Sequence, residues 1–128
     1  MYDMRQFLEL SEQDRQERMY RWLYAIAEAA EEERQEEIRQ LTLASAELGT
    51  SDATEVTRVR TLVLVKLSKD QIKSILRSRA QAMGDLPEIK ERDTMLFFMT
   101  VRQMPPDVQK LMVEIGSELR DEQTAQRY

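Results

Sequence analysis

Three glutamates in the pattern Glu32-Glu33-x-x-Glu36 are the residues of this chain whose type and spacing come nearest to a reaction centre. On a helix, positions three and four apart share a face. Carboxylates alone can hold Mg²⁺, which takes oxygen ligands and keeps several waters. That would allow metal-assisted phosphate chemistry. Most other chemistry is closed off by composition, because the 128 residues include no His, no Cys and no Asn. The commonest general base, the thiolate nucleophile and every His- or Cys-ligated zinc, haem or iron–sulfur centre are thereby excluded. A di-iron site of the Glu-x-x-His kind is excluded with them. The three glycines are isolated, so there is no glycine-rich phosphate loop.

The glutamate run resembles the first half of the motif of the all-α nucleoside-triphosphate pyrophosphohydrolases. The second half, Glu-x-x-Asp on a following helix, has no counterpart: Glu47 is followed at three by Thr50, and Glu55 by Arg58. The competing reading is a solvated helix face with Arg34 and Arg39 as ion-pair partners. It is the better one, and the sequence leans away from an enzyme, with no catalytic residue, metal or cofactor assigned.

A second constellation is cationic. Lys69, Lys73 and Arg77 recur at i, i+4 and i+8, with Arg79, Lys66, Arg58 and Arg60 nearby. Such a ridge could sit against nucleic-acid phosphates, each contact adding affinity through counterion release. A short link at Leu67-Ser68 is compatible with a helix–turn–helix. No aromatic interleaves with these bases, and the sequence is acidic overall, with a net charge of −5. The reading preferred here is that the ridge of Lys69, Lys73 and Arg77 faces glutamates of the first helix, in the same chain or in another; in the nucleic-acid alternative the contacts would be Lys69, Lys73, Arg77 and Arg79.

Tyr20, Trp22 and Tyr24 form a third group. Trp22 follows an apolar stripe, whereas Tyr20 and Tyr24 stack at i, i+4 on another face. Tyr and Trp are enriched in interface hot spots. Tyr20 and Tyr24, with Ile38, Leu41 and Leu48, make the candidate contact surface for a partner protein or a second copy.

These groups must be positioned by helices. Gly and Pro number three each, and Gln, Glu, Arg, Ala, Leu and Met dominate. Ser11 before Glu12 and Asp14 reads as a helix cap followed by first-turn acids. The apolar stripe Met19, Trp22, Leu23, Ile26 keeps its phase through Leu41 and Leu48, which predicts one helix from about 12 to 48. At 1.5 Å per residue it would be roughly 55 Å long, so a break near 30–33 or a partner chain is the corollary. Gly49 reads as its C-cap, and Asp52 with Glu55 as a capping box opening the next helix. Residues 59–67 are β-branched enough for a strand, but no second segment offers to pair with them, so a helix buried nearly all round is expected. Ser68 with Gln71 opens another helix, Pro87 another and Pro105-Pro106 the last. Helix starts 18–19 residues apart also suggest a solenoid, a reading placed below a compact bundle. The five methionines from Met83 to Met112 read as core filling.

The expectation is a single all-α domain over 1–128, a bundle or array of five helices, or six if the first is broken, with 1–10 and 121–128 frayed. Charge is uneven: −6 over residues 1–49, +4 over 50–84 and −3 over 85–128. There is no run of 18 apolar residues and no signal-peptide pattern at Met1-Tyr2-Asp3-Met4-Arg5. Cytoplasmic location and no membrane partner are the default. The function expected is a non-enzymatic interaction module, an adaptor, regulator or accessory subunit that self-associates or docks on a protein. Nucleic-acid binding through 58–79 is the runner-up, and the Mg²⁺-dependent phosphohydrolase is third.

Overall fold

The computed structural model describes residues 2–127, leaving out the side chain of Arg127. Seven helices and no strand occur among them: α1 Met4–Glu9, α2 Glu12–Glu28, α3 Glu31–Ala46, α4 Thr50–Leu64, α5 Lys69–Ala82, α6 Pro87–Arg102 and α7 Pro106–Arg127. The all-α expectation holds, with more helices than the five or six anticipated. The fold reads α4 as the centre, packed against α2, α6, α3 and α1. On one side α5 lies against α3 and α2, and α7 closes the array over α5 and α6. Among the described residues, no helix is long and apolar enough to cross a membrane.

The segment 12–48 is two helices. Ala29 and Ala30 are both extended, with ψ of 159° and 154°, and α3 folds back on α2. Continuity of the apolar phase did not reveal this, because both halves bury their stripe against the same core. What turns the chain is Arg34. Its guanidinium donates to the carbonyls of Ala29 (2.6 Å) and Ile26 (3.2 Å) at the end of α2, the latter also accepting from the Ala29 N–H. It also pairs with Glu31 at 2.7 Å. The break places Glu31, Glu32 and Glu33 in the first turn of α3, where the helix dipole favours acids. The buried Ser78 on α5 donates to the Glu31 carboxylate at 2.9 Å and ties the corner to the core.

Several helix ends follow the sequence. Ser11 accepts from the Asp14 N–H, and Ser68 and Gln71 form a reciprocal capping box. Others differ. Gly49 is the N-cap of α4, with φ −63°, and no glycine has positive φ. It therefore starts a helix rather than ending one, and Asp52 falls in the first turn of α4, not at a cap. Residues 50–64 form the buried central helix expected. It accommodates Thr57 and Thr61 because each hydroxyl donates to the carbonyl four residues back, at 2.8 and 2.7 Å.

The N-terminal segment is packed, contrary to the expectation of fraying. Asp3 caps α1 by accepting from Gln6 N–H. Phe7 is fully buried and stacks on Trp22, with ring centroids 5.5 Å apart. Tyr2 meets the same indole edge-on at 5.0 Å and donates to Glu37 at 2.7 Å. Burial, then that hydrogen bond to a carboxylate, push the Tyr2 phenol well above its ordinary range. At the other end α7 runs on to Arg127, past the point where fraying was expected, and Tyr128 lies outside the described residues.

Candidate binding site

The glutamates that opened the sequence reading are not brought together with other carboxylates. Glu32, Glu33 and Glu36 lie exposed on α3. Glu36 accepts from the Gln40 amide one turn on. Among the described residues no three acidic side chains form a group able to hold a metal ion. Arg34 pairs with Glu31 as expected, but Arg39 reaches across to Asp85 on the loop before α6, at 2.6 Å.

The cationic ridge is engaged within the chain, against the last helix rather than the first. Lys69 pairs with Glu114 and Glu118, Lys73 with Glu122, and Arg77 also with Glu122, all between 2.8 and 2.9 Å. The acids stand at 114, 118 and 122, the same i, i+4, i+8 spacing as the bases, so α7 is strapped along α5 by two matching rows. Arg77 and then Lys73 pull the Glu122 carboxyl down to about 2. A depressed carboxyl stabilises its contact above the ordinary pKa and loses that contribution as pH falls through the folded value. The Glu122 contact therefore weakens only in acid. These pairs are solvent-accessible and screened by salt. In 1 M NaCl, where the Debye length is about 3 Å, amides of α7 should exchange with deuterium faster while those of α4 stay protected. Equal exchange of α7 at low and high salt would show that apolar packing alone holds it.

Arg79 belongs elsewhere. It pairs with Asp93 on α6 at 2.7 Å and donates to Thr94 at 2.8 Å, while Arg60 on α4 reaches the other Asp93 oxygen at 3.0 Å. Asp93 is 6% exposed. Burial alone would raise its carboxyl, but the two guanidiniums outweigh that and hold it below the ordinary range. One acid thus joins α4, α5 and α6.

Beside this network lies a cavity of about 480 Å³, within the range of small-molecule sites. Its floor is made by buried apolar residues of α2, α3 and α5, among them Ile26, Leu41 and Ile75, and its walls by Phe97 and Val101 of α6 and Met112 of α7. It explains where part of the proposed contact surface went. Ile38 and Leu41, taken from the sequence as partner-facing, are 5% and 4% exposed and line this interior. The fold-back at Ala29-Ala30 turned their face inward. Leu48 is partly buried against the core. Tyr20 and Tyr24 do remain on the surface, 40% and 46% exposed, with their rings stacked at 6.0 Å. The structure does not bring the five together.

A different apolar surface stands out on α6. Met95, Phe98 and Met99 are at least half exposed, and Val113 on α7 is 70% exposed. Met83 and Met104 are buried as expected of core methionines, but Met95 and Met99 are not. The signal was present in the sequence: the cluster Met95–Met99 is apolar at five consecutive positions, more than one helix face can bury. Pro87, Glu91, Met95, Phe98 and Arg102 line one shallow groove, and at 100° per residue they fall within an arc of about 80°. No family model, curated protein or solved structure matches this chain, so the α6 groove and the cavity beside it are interpreted from their own geometry.

Proposed function

We propose that the chain is a non-enzymatic protein–protein interaction module that self-associates through α6. The observation carrying this is the order of residues along the exposed stripe: Glu91, Met95, Phe98, Arg102. The stripe is self-complementary about its midpoint. If two copies of α6 meet antiparallel on a two-fold axis between Leu96 and Phe97, Met95 faces Phe98 of the second copy and Glu91 faces Arg102. An isologous contact requires such reciprocity. The spacing of four, three and four residues is that of a coiled-coil seam. Met is well suited to an adaptable contact, and the charges at the ends set register more than affinity.

The nucleic-acid alternative loses support because Lys69, Lys73 and Arg77 are already occupied by α7, and Arg79 by Asp93. The phosphohydrolase alternative loses support because its glutamates face water on α3.

The test is a charge swap read by light scattering across a concentration series. Wild type should show concentration-dependent dimerisation. Glu91→Arg, which sets like charges opposite each other, should shift the mid-point to higher concentration by about tenfold or more. Adding Arg102→Glu should restore it. A monomer at all concentrations, or a dimer indifferent to Glu91→Arg, refutes the α6 pairing.

A further inference from the structure

Among the described residues, four arginines and no acidic residue line the 480 Å³ cavity, in a chain with 24 acids against 19 bases. The four are graded. Arg60 and Arg79 lie deeper, with side chains 12% and 21% exposed, and share the single carboxylate of Asp93, which offsets one of their two charges. Arg102 and Arg120 are exposed and have no carboxylate partner among the described residues. Gly116, one turn before Arg120, also lines the cavity, and a Cβ there would stand 3.6 Å from the Arg120 guanidinium. Apart from the arginines, the polar lining is limited to Thr42, Thr94 and Gln109. Thr94 is engaged by Arg79, and the Gln109 amide by the Arg102 and Met104 carbonyls. Water would find few partners against the apolar floor. The site is thus largely apolar inside, with its cations that lack a carboxylate partner at the rim.

We infer that the cavity binds a free single-chain amphiphile with an anionic head, a medium- or long-chain carboxylate, its alkyl chain among Ile26, Leu41 and Phe97 and its carboxylate at Arg120. An apolar chain gains affinity with each methylene buried, and the guanidinium offers paired N–H donors that suit a carboxylate. The inference goes beyond the α6 pairing and does not require it.

Calorimetry and native mass spectrometry with octanoate, decanoate and laurate, each below its micelle concentration, test this on the full chain. One molecule per chain should bind, with affinity rising by up to about fourfold per added methylene. Laurate should bind about fivefold more tightly than dodecanol. Arg120→Gln should erase that preference and leave dodecanol affinity unchanged. Val101→Phe, which narrows the cavity, should weaken laurate more than octanoate. If Val101→Phe does not fold, judged by circular dichroism, the chain-length series on wild type carries the test of the cavity. Non-saturating uptake of several molecules per chain overturns the site. Equal affinity for laurate and dodecanol, or a preference that survives Arg120→Gln, overturns the assignment of the head group. Binding to phosphatidylglycerol vesicles without binding of monomeric laurate would overturn the free ligand in favour of a membrane surface.

Discussion

Replacing Asp93 with alanine is expected to destabilise the fold by about 3–5 kcal/mol. The carboxylate is buried and pairs with both Arg60 and Arg79, at 3.0 and 2.7 Å. Removing it leaves two guanidiniums close together in a poorly hydrated place, and most of the loss comes from that uncompensated charge rather than from two missing hydrogen bonds. Asp93→Asn should recover only part, because the amide keeps one acceptor and no charge. A triple replacement, Arg60→Met with Arg79→Met and Asp93→Leu, should be close to neutral or stabilising, since buried ionic groups often do no better than well-packed apolar ones. Urea denaturation at pH 7 measures all three. A loss under about 1 kcal/mol for Asp93→Ala would show that water reaches the pair freely.

The same network makes stability depend on pH. The Asp93 carboxyl is held below its ordinary value in the folded state, so its contribution is complete above the unfolded pKa of about 3.9. It fades as pH falls through the folded value. Wild type should therefore lose stability in acid more steeply than Asp93→Asn, and the two curves should converge at low pH.

Helical periodicity made the architecture largely legible. The caps at Ser11 and Ser68, the proline starts at Pro87 and Pro106 and the buried central α4 all follow from local rules that local structure obeys. What escaped was non-local. The turn at Ala29-Ala30 has no glycine, proline or side-chain cap. It depends on Arg34 reaching back eight residues to Ile26, a contact that hydrophobic phase does not register. Once α3 folds back, Ile38 and Leu41 turn from outward candidates into cavity lining. Asp93 sits in a polar stretch, Lys90-Glu91-Arg92-Asp93-Thr94, that reads as solvent-facing. Only the approach of Arg60 and Arg79 from two other helices makes it a hub. The acidic first segment suggests itself as the partner of the α5 ridge, but the acids that match its spacing stand at 114, 118 and 122 on α7. The five-residue apolar cluster in α6 did carry a readable signal of surplus surface, which ordinary core filling absorbed too readily.

Phe7→Ala is the second substitution with a large expected effect, about 3–5 kcal/mol on the scale of buried aromatic truncations. A six-residue helix has little stability of its own, so α1 is held by what it buries. Phe7 is fully buried and Met4 nearly so, and the two pack with α2 and α4. Polar contacts fasten the segment further. Arg15 donates to the Leu8 carbonyl and pairs with Glu55 at 3.0 Å, linking α1 through α2 to α4. Whether the full cost appears depends on whether α1 unfolds with the rest. If α1 is integral, truncation lowers the stability of the whole domain, and Trp22 fluorescence and far-ultraviolet circular dichroism report one shifted transition. If α1 detaches alone, the loss is capped at its docking free energy. Trp22, sandwiched between Tyr2 and Phe7, would then change signal before the helices melt. The first outcome is expected, because undocking α1 would uncover apolar surface on α2 and α4 that has no other cover. An unchanged circular dichroism transition with an altered Trp22 signal would instead make α1 a detachable segment.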